Sequence, residues 1–310
     1  MMLRRHIARS VGAALLLLAT ISGSAQQDPL FSQYMFNTLA FNPAYAGSAN
    51  VFTVMALSRH QWVGFDGAPS TQTVLAHSPL PNENMAMGLS VLTDKVGPTR
   101  QTAAYADYAY RIRTGADTRL AFGLKGGVNL YQADLASLTS VDPDNASVNV
   151  KGQVLPNFGF GMFWQGPRYY AGLSIPKLLE NEIDADGGAA LVTASEVRHY
   201  FVMAGYVMDL DRHLKFKPSM MLRVVKGAPL SLDLNANFLL RDRIWLGAMY
   251  RVGNAFGLLG QYQVNDQFRI GYAFDLTTTK LGAYNAGTHE IMLNYDLRFV
   301  KGRTISPRYF

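Results

Sequence analysis

Residues Leu230 to Leu240 read LSLDLNANFLL, and this run decides the fold. Its even positions, Leu230, Leu232, Leu234, Ala236, Phe238 and Leu240, are apolar. Ser231, Asp233, Asn235 and Asn237 stand between them. A period of two places one set on each face of a strand. Working outward, Leu214 to Val224 sets Leu214, Phe216, Met220 and Leu222 against Lys215, Lys217, Ser219 and Arg223. Phe268, Ile270, Tyr272 and Phe274 alternate with Gln267, Arg269, Gly271 and Asp275. Near the end, Ile291, Leu293, Tyr295, Leu297 and Phe299 alternate with Glu290, Asn294, Asp296 and Arg298. Segments of about ten residues suit a tilted membrane-crossing strand, whereas soluble strands average nearer six. Alternation alone also fits a soluble sandwich. The number and length of the segments favour a transmembrane antiparallel β-barrel.

Strands are expected near 50–60, 71–79, 84–94, 102–113, 118–131, 157–164, 169–175, 198–208, 214–224, 230–240, 244–251, 255–264, 268–276 and 288–300. That is about fourteen, an even number as bacterial single-chain barrels require. The longest connections, 61–70, 132–156, 176–197 and 277–287, all follow odd-numbered strands. Those after even strands are short, as at Thr114–Asp117, Gln165–Pro167, Asp211–His213, Arg241–Arg243 and Asn265–Asp266. Such barrels have long extracellular loops and short periplasmic turns. A soluble fold has no reason to sort loop length by parity.

Composition agrees. Charged residues make up 16% of the chain, below the roughly 25% of soluble domains. Aromatic residues reach 12%, and there is no cysteine, so no disulfide staples the fold. Residues 1–25 read as a removable export signal: Arg4, Arg5 and Arg9 precede the apolar run Val11–Ile21 and the small residues Gly23-Ser24-Ala25. The run is shorter than the roughly 20 residues of a spanning helix. Removing this stretch, with three Arg and no acid, lowers the net charge from +6 to +3. No dense basic patch interleaved with aromatics points to nucleic acid. The reading divides the chain into signal (1–25), aromatic segment (26–49), barrel (50–300) and tail (301–310).

The lumen face is expected to carry both signs: Asp107, Arg111, Lys125, Lys215, Lys217, Asp233, Arg269, Glu290 and Asp296. Internal ion pairs would narrow a bore of fourteen strands, since unpaired charges there are costly. The aromatic segment begins with Asp28-Pro29, which suits a helix cap and first turn. Leu30, Phe31, Tyr34, Met35 and Leu39 recur at helical spacing until Asn42-Pro43 ends the pattern and Ala46-Gly47 leads into the first strand. The segment is expected to be an amphipathic helix that plugs the lumen or seals the periplasmic mouth. The alternative is a docking surface for a periplasmic partner. Asp28, Pro29, Phe31, Gln33, Tyr34, Phe36, Asn37, Asn42, Pro43, Tyr45 and Gly47 are its candidate residues.

Catalytic and cofactor signals are missing. His60, His77, His199, His213 and His289 are scattered, with no zinc-binding helix, nucleophile elbow or Walker loop. Gly159-Phe160-Gly161 lies in a strand pattern, where close backbone packing explains it. Asp142, Asp144 and Asn145 give only a fragment of a calcium loop. Glu180, Glu182, Asp184 and Asp186 form an acidic loop, read as a solvated face, with a divalent-ion or lipopolysaccharide contact as the minor reading.

With these residues in view, the chain resembles the PorP/SprF family, outer-membrane proteins of the type IX secretion and gliding machinery of Bacteroidota. The resemblance spans nearly the whole mature chain. It rests on QDPLFSQYMFNTLAFNPAYAGS (Gln27–Ser48), HQWVGFDGAPSTQT (His60–Thr73), LTDKVGPTRQT (Leu92–Thr102), LKGGVNLYQADLASL (Leu124–Leu138), PNFGFGMFW (Pro156–Trp164), GLSIPKLLEN (Gly172–Asn181) and THEIMLNYDL (Thr288–Leu297). The first and last are the specific ones. The resemblance implies a fourteen-stranded barrel like the fatty-acid channels, located in the outer membrane. It implies export or surface anchoring of a cargo, such as an adhesin with a C-terminal secretion domain. Its implied partners are that cargo, the PorK/PorN ring or a periplasmic linker such as PorE, and outer-membrane lipid. It supplies no catalytic residue and no cofactor. A passive channel for small hydrophobic or ionic solutes is the competing expectation, and a lipid-modifying barrel enzyme a weaker one.

Overall fold

The computed structural model describes residues 28–137, 149–184 and 192–297. The expected signal and C-terminal tail, Gln26 and Gln27, the Asp142 region and Asp186 lie outside the described residues. Fourteen antiparallel strands form one closed barrel. They are β1 (Phe52–His60), β2 (Ser70–Pro79), β3 (Met85–Val96), β4 (Thr99–Arg113), β5 (Arg119–Ala133), β6 (Val150–Gln165) and β7 (Tyr169–Ile175), followed by the second half of the wall. That half comprises β8 (His199–Tyr206), β9 (Leu214–Val225), β10 (Ser231–Leu240), β11 (Ile244–Arg251), β12 (Ala255–Gln263), β13 (Phe268–Thr277) and β14 (Thr288–Leu297). Each strand pairs with its neighbours in sequence. β14 returns to β1, from Phe52↔Leu297 to His60↔His289, and closes the ring. Closure leaves no free sheet edge, which a bilayer would not tolerate.

The two faces of the wall are inverted relative to a soluble protein. On β10, Ser231, Asp233, Asn235 and Asn237 are buried, whereas Leu234 and Phe238 are exposed. Leu89, Leu124, Val154, Phe158, Leu173, Leu258 and Leu276 likewise face outward with more than half of their surface free. A bare apolar face of this size needs lipid to cover it. No helix among the described residues is long and apolar enough to cross a membrane.

The strand boundaries differ from the sequence expectation in three places. β6 begins at Val150 rather than near 157, because its upper end pairs with β5 across an irregularity at Tyr131/Ala133. β4 begins at Thr99, joined to β3 through Gly97, whose φ of +54° suits the tight turn. β8 stops at Tyr206, and a two-residue strand, Met208–Asp209, continues the pairing with β9 after Val207. The long connection after β7 carries a small hairpin, Glu182–Asp184 with Val192–Ser195. Its Ile183 packs on Tyr131, Val150 and Leu155 inside the upper wall.

Candidate functional site

The bore is occupied by the chain's own N-terminal segment. Asp28 sits at the long-loop end, where its carboxylate meets Lys177 Nζ at 2.7 Å and His199 Nδ1 at 3.6 Å. The segment then descends the lumen until Gly47 reaches the short-turn end beside His77, whose Nδ1 accepts from its amide at 3.1 Å. Phe31, Gln33, Tyr34, Phe36, Asn37, Asn42, Pro43, Tyr45 and Gly47 are all buried; Asp28 and Pro29 are half-buried.

The expected amphipathic helix is corrected. Residues 32–36 form turns, a short helix runs Thr38–Phe41, and a 3-10 turn spans Pro43–Tyr45. The physical reason is that the wall surrounds the segment on every side and supplies hydrogen bonds a helix would make with itself. The amides of Ser32 and Gln33 each donate to Glu290 at 2.9 Å. Asp28 is accordingly an ion-pair partner rather than a helix cap. Phe31, Tyr34, Phe36 and Tyr45 are buried inside the bore.

Charge holds the upper part of the segment. Arg59 donates to Ser32 Oγ at 2.7 Å, Glu290 at 2.9 Å and Asp275 at 3.1 Å, and Ser32 Oγ in turn donates to Asp275. All four side chains are buried. Beside them Arg251 forms a fork on Asp233, with bonds of 2.7–3.0 Å. Glu196, from the long connection after β7, accepts from Asn129 at 2.9 Å and Asn181 at 2.7 Å and lies 3.6 Å from Lys177. Burial works against ionisation of Asp28, but Lys177 and then His199 hold its carboxyl below the usual carboxylate range. Burial likewise opposes the Lys177 charge, and Asp28 with Tyr105 and Glu196 raises it above the ordinary lysine range.

Shape holds most of the lower part, where Arg111 also donates to Gly47 O at 2.6 Å. A methyl group on Gly123 would collide with the Ala44 amide, and one on Gly161 with the Asn42 side chain. The wall thus leaves out side chains where Asn42-Pro43-Ala44 rests against it. Asn42 Nδ2 donates to Met162 O at 2.9 Å, and its Oδ1 accepts from Ala44 N at 3.0 Å. Tyr45 packs edge-on to Phe163 with ring centres 5.4 Å apart, and Phe36 to Trp245 at 5.7 Å. The ammonium of Lys217 lies 4.9 Å from the Phe36 ring centre, a cation–π distance.

Of the expected lumen charges, Asp107, Arg111, Lys125, Lys217, Asp233 and Glu290 are buried, and Lys215, Arg269 and Asp296 are half-buried on the same inward face. Asp107 pairs with Lys125 at 3.4 Å. Sequence reasoning did not single out Arg59, Lys177, Glu196, His199 or Arg251. Open space remains beside the segment. A vestibule of about 440 Å³ at the long-loop end is bordered by Asp28, Arg59, Trp62, Asp94, Arg223 and Arg251. An inner apolar cavity of about 70 Å³ lies among Phe31, Phe41, Leu92, Ala103, Tyr105 and Phe201. Among the described residues no group of three or more His, Asp or Glu is placed to hold a metal ion.

A closed barrel with an apolar exterior and an occupied bore defines an outer-membrane β-barrel protein. The chain belongs to the PorP/SprF family of type IX secretion system membrane proteins, whose model matches residues 23–295. No curated protein matches it. Among solved structures it is similar to the Acinetobacter baumannii outer membrane protein Omp33, at 13% identity over 81% of this chain and 98% of that one, TM-score 0.47. A Pseudomonas aeruginosa FadL homologue shares 13% identity over 84% and 94%, TM-score 0.47. The monoaromatic hydrocarbon channel CymD shares 10% over 89% and 95%, TM-score 0.49. The barrel assignment rests on the strand pairing itself.

Proposed function

We propose that this chain is a plugged docking component of the type IX secretion and gliding system, exported by its residues 1–25 and needed to secrete or anchor one surface cargo. The cargo class is an adhesin carrying a C-terminal secretion domain, and the periplasmic partners are the PorK/PorN ring or a linker such as PorE. Family membership supports the system. The observation that carries the docking role is the occupied bore: a segment tied to the wall from Asp28 to Gly47 leaves no route for a polypeptide. Binding would then fall to the two ends of the barrel, and the long-loop vestibule is the roomier candidate.

The test is purification of the tagged chain from native outer membranes in mild detergent, beside surface labelling of cells that lack it. A co-eluting protein with a C-terminal secretion domain, missing from the surface of the deletion strain, supports the reading. A barrel that elutes alone, with an unchanged surface, overturns it. Orientation is tested in the same cells. Cysteine labelling should succeed in intact cells at position 284, where Tyr284 is 72% exposed in a long loop, and fail at position 212 in a short turn. The small apolar cavity favours a second reading, a passive channel for small hydrophobic solutes, which uptake assays on reconstituted protein address.

A further inference from the structure

At the long-loop end the lipid-facing side of the wall departs from its apolar pattern across β2 to β5, and His60 of β1, opposite Ser70 with its Nδ1 3.3 Å from Ser70 Oγ, continues that rung. At the long-loop end, strand register lines up Ser70, Lys95, Arg100 and Gln132 as one outward rung across β2 to β5. Lys95, Arg100 and Gln132 are exposed. The rung below on the same face is Gln72, Thr93, Thr102 and Leu130. Thr93 and Thr102 join their hydroxyls at 3.3 Å. The next rung is Val74, Val91, Ala104 and Val128, where the apolar band begins. The surface therefore passes from cationic to hydroxyl-bearing to apolar in three successive rungs.

Lys95 and Arg100 stand directly opposite each other across the β3–β4 ladder. Like charges in that position disfavour the pairing. Neither side chain has an ion pair or hydrogen bond among the described residues. The contrast lies on β11 to β13. The corresponding outward rung of β11 to β13 is Tyr250, Phe256 and Leu276, with no charge. A cationic pair kept together at one arc, level with the upper edge of the apolar band, calls for an anion between its members. An anion attached to acyl chains would also use the hydroxyl and apolar rungs beneath it.

We propose that the Ser70–Lys95–Arg100–Gln132 rung binds the phosphate of an anionic lipid in the leaflet around the long-loop end. Arg100 supplies the planar donor pair, Lys95 the second charge, and Val74, Val91 and Val128 the bed for the acyl chains. The site goes beyond the secretion role and does not depend on it.

The test titrates detergent-solubilised full-length protein with diphosphorylated lipid A, with lipid A lacking phosphates, and with inorganic phosphate, reading retained adducts by native mass spectrometry. The expected result is saturable binding of the phosphorylated lipid, at least tenfold weaker in Lys95→Ala/Arg100→Ala. The phosphate-free lipid should bind no better than that variant, and inorganic phosphate should neither bind nor compete at equal concentration. Arg100→Glu covers the case in which the double variant does not fold. It turns the like-charge pair into an ion pair, so the barrel should be at least as resistant to heat while lipid binding is lost. Equal binding by wild type and variants overturns the proposal, as does binding by inorganic phosphate alone or equal retention of the phosphate-free lipid.

Discussion

The upper and lower parts of the occupied bore are held by different physics. Near the long loops the segment is fixed by charges: Asp28 on Lys177, and Ser32 and Gln33 on the Arg59–Asp275–Glu290 cluster. Near the short turns fit dominates, with Gly123 and Gly161 making room for Asn42-Pro43-Ala44 and Tyr45 wedged against Phe163, while Arg111 donates to Gly47 O at 2.6 Å and His77 Nδ1 accepts from the Gly47 amide. Charge contacts depend on protonation and lose their value when one partner goes. Steric contacts do neither. The upper hold therefore rests mainly on charge and the lower one mainly on shape.

Three substitutions probe that contrast. Arg59→Ala should have the largest effect, since it strands two buried carboxylates; removing one member of a buried ionic cluster typically costs about 3–5 kcal/mol. The measurement is urea unfolding in detergent, followed by the mobility shift between boiled and unboiled samples. An unchanged midpoint would mean that the cluster does not hold the upper segment. Gly161→Ala should cost about 1–3 kcal/mol by overpacking against Asn42, and proteolysis should then reach the segment near Asn42 before Asp28. The smallest effect is expected at Asp28→Asn, about 1 kcal/mol. Because Lys177 depresses the Asp28 pKa below its unfolded value, the contribution is complete above about pH 4 and fades as pH falls through the lower, folded value. Wild type should lose protection of its upper segment in that acid range, and the Asn variant should show no such step.

The same contrast explains what could be read in the sequence. β10, β13 and β14 were legible because their inward faces carry polar residues: Asn235 and Asn237, Arg269 and Asp275, Glu290 and Asn294. β1 and β8 face the aromatic segment and bury Met55 and Leu57, Phe201 and Met203. Apolar residues then lie on both faces, the period of two disappears, and Arg59 at the top of β1 has no pattern to mark it. Lys177 and Glu196 sit in a connection whose return into the barrel no local signal announces. The segment itself was recognisable as a packing element by its aromatic spacing. Its irregular backbone was not, because wall carboxylates and carbonyls take the place of helical partners. The glycines at 159 and 161 did carry the right signal: Gly159 lies against Pro176 and Gly161 against Asn42.

The chain's own N-terminal segment fills the bore. Planar-bilayer recording of the purified full-length protein tests it most directly. A filled bore gives no steady conductance for the wild type, and stepwise conductance once residues 28–47 are deleted from a barrel that still shows heat-dependent mobility. Steady, solute-selective conductance through the intact wild-type protein would contradict it.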